Sequence, residues 1–490
     1  MSVLKKLLGQ TALYGLSTML GRFLNYLLVR VHTGAFAPAE FGVVSELYSY
    51  SGFLTVLLAF GMETGYFRFA RKGENPKVYS TILIFLLSSS AFFFTLVTLL
   101  SPTLGRVLHY EGKEYYFIWL ALFLAFDAIG AIAFSRLRNE DKAARFVTIK
   151  LTEIGISIAL NIFFIMLAKP AYESGSNSWL AKCYSPSIGV GYVFLSNLIA
   201  SGIKLLMLSP LFFHIKFVFD KEIFGKLIRY SLPMIPIGLA GIVNETLDRP
   251  MLKFLLPFDP KTNMEQMGIY SACYKISIVM TLFIQAYRYA AEPFFFKQAE
   301  KENSRQIFAE VMNFFVIFCC AIFLLVTLFL DYFKYFLGST AYYEGLKIVP
   351  ILLMANLCLG VYVNLSVWYK LTDRTGMGAW VSIGGAVITL LLNFALIPVY
   401  GYMGSAVATF ICYFSMSLIS YLLGRKYYPV PYDVSRLIFY VLFAIGLYLL
   451  STQVQFTLFG FPVLSVALLF GFVAVAVLMN RKKWKSLRVH

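Results

Sequence analysis

The run GQTALYGLSTMLGRFLNYLLVRV (residues 9–31) is long and apolar enough to cross a lipid bilayer, yet it carries Arg22 near its middle and Arg30 near its end. A hydrocarbon core of ~30 Å needs about 20 residues of helix to span it. A charge at the centre of such a helix costs ~2.5–3.5 kcal/mol on insertion scales, so it turns toward a polar path or a partner rather than toward lipid. Isolated charges of this kind recur in most of the later apolar runs. The pattern implies a membrane protein with a polar route through its interior.

The composition agrees, with 59% hydrophobic and only 14% charged residues over 490 positions. Hydropathy predicts an all-α polytopic membrane protein with about fourteen transmembrane helices. The expected spans are residues 9–31, 41–62, 78–101, 116–135, 146–168, 188–212, 229–256, 267–291, 309–330, 346–369, 377–398, 402–424, 435–451 and 459–480. The connections between them are roughly twenty residues at most, too short for a sizeable soluble domain on either face.

A net charge of +17 raises the question of nucleic acid, but the charge follows topology instead. One set of loops holds Lys5 and Lys6, the clusters Arg68–Lys77, Arg136–Arg145, Lys216–Lys226 and Lys297–Arg305, the pairs Lys370/Arg374 and Arg425/Lys426, and the tail from Arg481. The opposite set holds only Arg106, Lys113, Lys169, Lys182, Lys261 and Lys334. This positive-inside bias places both termini in the cytoplasm and removes the reason to expect a nucleic-acid partner. Arg22, Asn25 and Arg30 interrupt what would be the core of a signal peptide, so the first segment reads as a retained span. Cys183 stands alone in an outer loop while the other five cysteines lie in spans, so neither a disulfide nor a metal site is expected.

Missing motifs narrow the class further. The sequence has no phosphate-binding loop, so it carries no nucleotide motor of its own, and no nucleophile elbow or paired zinc-ligand motif. A polymerase or ligase needs a substantial outer loop to hold its acceptor, and the longest here is Lys169 to Ser187. The acidic cluster Asn139-Glu140-Asp141 reads as a solvated turn between helices. Aromatics such as Trp119, Tyr192 and Trp368 suit the membrane interface, where rings anchor by default.

An internal repeat supplies the organisation. Phe41-Gly42-Val43-Val44-Ser45-Glu46-Leu47-Tyr48 opens the second span, and Met267-Gly268-Ile269-Tyr270-Ser271-Ala272-Cys273-Tyr274 opens the eighth, with glycine, serine and tyrosine in register 226 residues apart. An offset of six spans relates two halves by an axis along the membrane normal. The expected organisation is a six-helix bundle over 1–225, a second over 226–428, and helices 13 and 14 with a basic tail over 429–490. Pro429-Val430-Pro431 marks that last boundary, because proline discourages helix continuation there.

Four stretches together resemble a known family: Asn244 to Leu256 with its Asp248-Arg249 pair, Met267 to Tyr274, Ala291-Glu292-Pro293, and Asn393 to Pro398 followed by Tyr400-Gly401-Tyr402-Met403-Gly404-Ser405. They resemble the oligosaccharide-lipid flippases of the MOP superfamily (Wzx type), which also contains the lipid II flippases and the MATE multidrug exporters. The resemblance implies two six-helix bundles in a V-shaped alternating-access arrangement around a cationic cavity. It implies a polyprenyl-diphosphate-linked oligosaccharide as substrate, flipped in a bacterial inner membrane for O-antigen or capsule-type polysaccharide. It also implies membrane lipids, a polysaccharide polymerase and glycosyltransferases as partners, a monomeric transporter rather than an enzyme, and no cofactor. Lipid II translocation, multidrug export and, last, a polymerase or ligase are the alternatives.

The residues add chemistry of their own. Arginine matches diphosphate oxygens through a planar fork of donors. Arg22 is therefore the first candidate for a headgroup contact, its alternative being an ion pair with Glu46 or Asp127. Arg30 lies about two turns further and roughly 80° around the helix. In the seventh span Glu245 and Arg249, spaced i, i+4, can pair on one face, leaving Asp248 to point elsewhere. Pro233, Pro236 and Pro250 weaken that helix, and broken helices at membrane depth are tolerated only beside protein or a polar cavity. Lys275 adds positive charge from the eighth span. Substrate binding is thus expected at Arg22, Arg30, Arg249 and Lys275. Coupling to an H⁺ or Na⁺ gradient, or gating, is expected at Glu46, Asp127, Glu245 and Asp248. Lys150 and Glu153 are expected to satisfy each other, Lys204 and Arg288 to reach for the inner surface, and Lys297–Glu310 to form an amphipathic helix along the inner face.

The charge map predicts that an impermeant thiol reagent applied outside reaches Cys183 and cysteines engineered beside Lys113 and Lys334. Outside labelling of a cysteine beside Arg138 would overturn it.

Overall fold

The computed structural model describes residues 3–70, 76–213, 215–299, 303–454 and 462–487, and all regular structure among them is helical. The physical reason is that hydrocarbon offers backbone N–H and C=O groups no water, so each spanning segment satisfies them within itself. Numbering only α-helices of eight residues or more, the first part of the chain holds α1 (Val3–Ala35), α2 (Pro38–Ala59), α3 (Met62–Phe69), α4 (Pro76–Val107), α5 (Tyr115–Asn139), α6 (Ala143–Ile162) and α7 (Gly191–Leu208). Next come α8 (Lys221–Ser231), α9 (Met234–Thr246), α10 (Asp248–Leu255) and α11 (Pro260–Gln298). The rest is α12 (Ser304–Leu328), α13 (Val349–Leu365), α14 (Thr375–Tyr427), α15 (Val434–Gln453) and α16 (Val463–Leu487).

Among the described residues, eleven helical stretches are long and apolar enough to cross a membrane, or twelve when α8 and α9, bent by 41°, count as one broken span. Pro233 caps the start of α9, at the break. The long α14 holds two expected spans joined at Gly401, whose φ of 59° and ψ of −144° fall in a region essentially reserved for glycine. A Cβ on Gly404 would lie 2.4 Å from the carbonyl oxygen of Leu396, so the returning helix can leave the turn only as glycine. With α14 counted twice and α1 added, the about fourteen spans expected from hydropathy are accounted for. The reading of Lys297–Glu310 as a separate amphipathic helix is corrected: α11 runs through Gln298 and α12 begins at Ser304, with 300–302 outside the described residues.

Contacts divide the chain into two compact units, Met1–Pro250 with Pro260–Gly268, and Met251–Asp259 with Ile269–His490. In the first unit, Leu47, Tyr116, Leu120, Leu124 and Phe194 form one end of the core, and Met62, Ile82, Leu83, Ile132 and Leu227 the other. α6 continues into a π-helix over Phe163–Ala168, two residues before Pro170, where a wider turn relieves the clash of the proline ring with the preceding turn. The acidic turn after α5 is a solvated connection as expected: Glu140 pairs with Arg136 at 2.6 Å and Lys142 at 2.7 Å. Burial disfavours its charge, but those two cations prevail and hold the carboxyl below its ordinary range.

In the second unit α13 packs along α14, with Ala355, Trp368, Val381, Cys412 and Met416 at the contact. The last two helices are tied on by buried amides: Asn480 donates to Tyr440 at 2.8 Å and accepts from Asn313 at 3.0 Å, joining α16, α15 and α12. Phe92, Leu99, Leu206 and Trp380 are among the large apolar side chains left exposed. In water such faces would be an aggregation liability; in a bilayer they are the lipid-facing surface.

Candidate functional site

Two polar stripes meet inside the first unit. On α6, Glu153, Ser157 and Asn161 are spaced i, i+4, i+8, and on α7, Asn197, Ser201 and Lys204 are spaced i, i+4, i+7, so each set follows one helix face. At one end the Lys204 ammonium, only 3% exposed, contacts Asp127 of α5 and lies 2.8 Å from Glu153. Glu153 also takes Lys150 at 2.7 Å, and Ser201 donates to Asp127 at 2.7 Å. In the middle Ser157 donates to Asn197 at 2.7 Å, and the Asn197 amide reaches the hydroxyl of Tyr48 on α2. At the other end Asn161 meets His32 of α1 at 2.9 Å. A polar seam thus runs through five helices, α1, α2, α5, α6 and α7.

Gly130 of α5 makes room for it. A Cβ there would sit 3.3 Å from Cε and 3.9 Å from Cδ of Lys204. Two carboxylates and two ammonium groups balance formally, which is the condition for charges to persist out of water. Lys204, expected to reach for the inner surface, is instead buried, because Asp127 and Glu153 offer it two partners at depth. The Lys150–Glu153 pair forms as its spacing suggests, but as one edge of this larger cluster.

The other expected residues distribute as follows. A Cβ on Gly21 would lie 2.4 Å from Cδ1 of Ile154, so α1 packs on α6 through Gly21, and the next residue, Arg22, is turned about 100° away and is exposed. The alternative pairing of Arg22 with Glu46 or Asp127 is not seen. Arg30 is also exposed. Glu46 is fully buried and accepts hydroxyl hydrogen bonds from Tyr50 at 2.8 Å and Tyr110 at 2.5 Å. Lys275 is half-buried in the second unit.

The Glu245–Arg249 side-chain pair is corrected. The helix is interrupted at Leu247, with α9 ending at Thr246 and α10 starting at Asp248. Arg249 instead binds the Asp248 carboxylate at 3.0 Å and donates to the backbone carbonyl of Glu245 at 2.7 Å, while the Glu245 side chain is exposed. Asp248 in turn accepts the Arg249 backbone N–H at 2.9 Å, giving a partner to one donor at the start of α10.

The geometry therefore brings together Asp127 with Lys204 and Glu153, and Asp248 with Arg249. Among the described residues no group of three or more His, Cys, Asp or Glu side chains is placed to hold a metal ion. What the first unit can do chemically is hold a balanced set of charges whose partners can be exchanged, and present an exposed guanidinium on α1.

Residues 7–299 match the family described as polysaccharide biosynthesis protein. No curated protein matches the chain. Among solved structures it is similar to the lipid II flippase MurJ in an inward closed conformation, at 12% identity and a TM-score of 0.73, over 96% of this chain and 99% of that one. It is also similar to an outward-facing multidrug resistance MATE family transporter of the MOP superfamily, at 13% identity and a TM-score of 0.57, over 85% of this chain and 95% of that one. At these identities the likeness establishes the fold.

Removing one member of a buried charge cluster strands the others. Lys204→Met is expected to destabilise the protein by about 3–5 kcal/mol, read as thermal unfolding in detergent, and Lys204→Met with Asp127→Asn and Glu153→Gln to regain most of that loss. A single variant as stable as the parent would show that these charges are solvated.

Proposed function

We propose that this chain, which belongs to the polysaccharide biosynthesis protein family and has the MOP-superfamily fold, flips polyprenyl-diphosphate-linked oligosaccharides from the inner to the outer leaflet of a bacterial inner membrane. The observation that carries this reading is Arg22. It is exposed in the middle of a membrane-length helix, turned off the packed face by Gly21, and a guanidinium so placed is tolerated only where it lines a polar cavity. An anionic diphosphate is the ligand that its planar donors fit. Arg30, Arg249 and Lys275 extend the positive lining in this proposal, and the bundles 1–225 and 226–428, with 429–490 appended, are its moving parts.

The energy source in this proposal is an H⁺ or Na⁺ gradient, with Glu46, Asp127, Glu245 and Asp248 as the acids whose occupancy differs between states. Asp127 is the foremost of them, because its partner Lys204 is shared with Glu153 and can be passed between the two. Neutralising the four acids, singly and together, is expected to uncouple transport from the gradient in at least one variant; gradient-driven transport surviving in all of them would end the idea.

A second reading, lipid II, is favoured by the similarity to the lipid II flippase fold, and it shares the polyprenyl diphosphate. Deleting the gene separates the two. Loss of surface polysaccharide, with diphosphate-linked repeat units trapped on the inner leaflet, is expected; arrested cell-wall growth with trapped lipid II would support the second reading, and repeat units already on the outer leaflet would sink both. In the same strain Arg22→Ala is expected to fail to restore transport although the protein inserts, and Arg22→Lys to restore part of it, since the charge survives but the bidentate fork does not.

A further inference from the structure

The two glycines that the internal repeat equates touch each other. Gly42 lies in the first turns of α2, and Gly268 lies 226 residues later near the start of α11. A Cβ on Gly268 would fall 1.9 Å from the carbonyl oxygen of Pro38 and 3.1 Å from the backbone nitrogen of Gly42. A Cβ on Gly42 would fall 2.5 Å from the carbonyl oxygen of Met264. Pro38 and Met264 are themselves 226 residues apart, one helical turn before each glycine.

Each glycine therefore sits on the carbonyl that precedes its own counterpart. Such reciprocity, in which residue i meets j′ and j meets i′, pairs the equivalent positions of the internal repeat with each other. Ordinary van der Waals contact begins above 3.4 Å, so at this crossing only hydrogen can occupy the side-chain position on either helix. Small residues let membrane helices approach until backbone meets backbone, held by dispersion and weak Cα–H···O contacts.

We propose that the Gly42–Gly268 crossing is a conformational latch, and that its tightness stabilises the state seen here against one in which the starts of α2 and α11 stand apart. One added carbon cannot be absorbed by rotating a side chain, because the atoms it meets are backbone. Alanine at either glycine weakens the closed state while leaving the separated state untouched, so the population moves toward separation.

The test does not depend on the substrate or on sidedness. Ser45, three residues beyond Gly42 on the same face of α2 and half-buried, is replaced by cysteine in a Cys183→Ser background, and its labelling rate with a thiol reagent is measured in purified protein in detergent. Gly268→Ala and Gly42→Ala are each expected to raise that rate several-fold. Gly155→Ala, whose added carbon meets nothing within 4 Å, is expected to leave it unchanged. Gly42→Ala is the milder variant and carries the test if Gly268→Ala fails to accumulate. Unchanged labelling in both, or failure of both to accumulate where Gly155→Ala accumulates normally, would overturn the proposal: the first means the contact does not govern the equilibrium, the second that it is needed for folding itself.

Discussion

A charge inside hydrocarbon must be answered by another group of the same protein, and much of the interior of this chain follows from that requirement. An isolated ion moved to low dielectric loses far more hydration energy than folding can supply. Lys204 is therefore met by Asp127 and Glu153, and Glu153 by Lys150. Asp248 and Arg249 answer each other, and Glu46 is wrapped by two tyrosine hydroxyls. Helix packing is subordinate to these pairings: α5 carries glycine at position 130 because a lysine chain from α7 lies across it.

The same economy governs the backbone. Where a helix stops inside the membrane its bare donors and acceptors need partners, and the break between α9 and α10 finds them in the Asp248 carboxylate and the Arg249 guanidinium. Elsewhere breaks are avoided by reversing the chain within a single residue, as at Gly401, or by widening one turn, as in the π-helix ahead of Pro170. Glycine appears at these places for two distinct reasons. At Gly401 the dihedral angles exclude a side chain; at Gly42, Gly268 and Gly404 the angles are ordinary and a neighbouring carbonyl excludes it.

Spans were legible because bilayer thickness is a fixed length against which any apolar run can be measured. The expected pair 377–398 and 402–424 falls on either side of Gly401, and 435–451 falls within Val434–Gln453. Pairing was less legible. Spacing proposes partners along one helix, so Lys150 and Glu153 could be read directly, whereas Lys204 meets α5 and α6, 77 and 51 residues away. Glu245 and Arg249 show the converse: their i, i+4 spacing allows a side-chain pair, but the guanidinium takes the Glu245 carbonyl and the Asp248 carboxylate instead. The polar stripes on α6 and α7 were present in the sequence as Glu153-Ser157-Asn161 and Asn197-Ser201-Lys204, and helical periodicity applied to polar rather than apolar residues would have found them.

The distinction between answered and exposed charges also orders the functional reading. A cation already held by two carboxylates can serve an anionic ligand only by leaving them, which costs the pairing it gives up. Arg22 carries no such cost: it stands exposed on α1, with no ion-pair partner among the described residues. A ligand arriving there gains the full interaction, whereas a ligand displacing Lys204 gains only a difference. The two kinds of site thus suit two different tasks. In the proposed function the exposed guanidinium is the group that binds a passing diphosphate, and the ammonium held by both Asp127 and Glu153 is the one whose pairing changes between states.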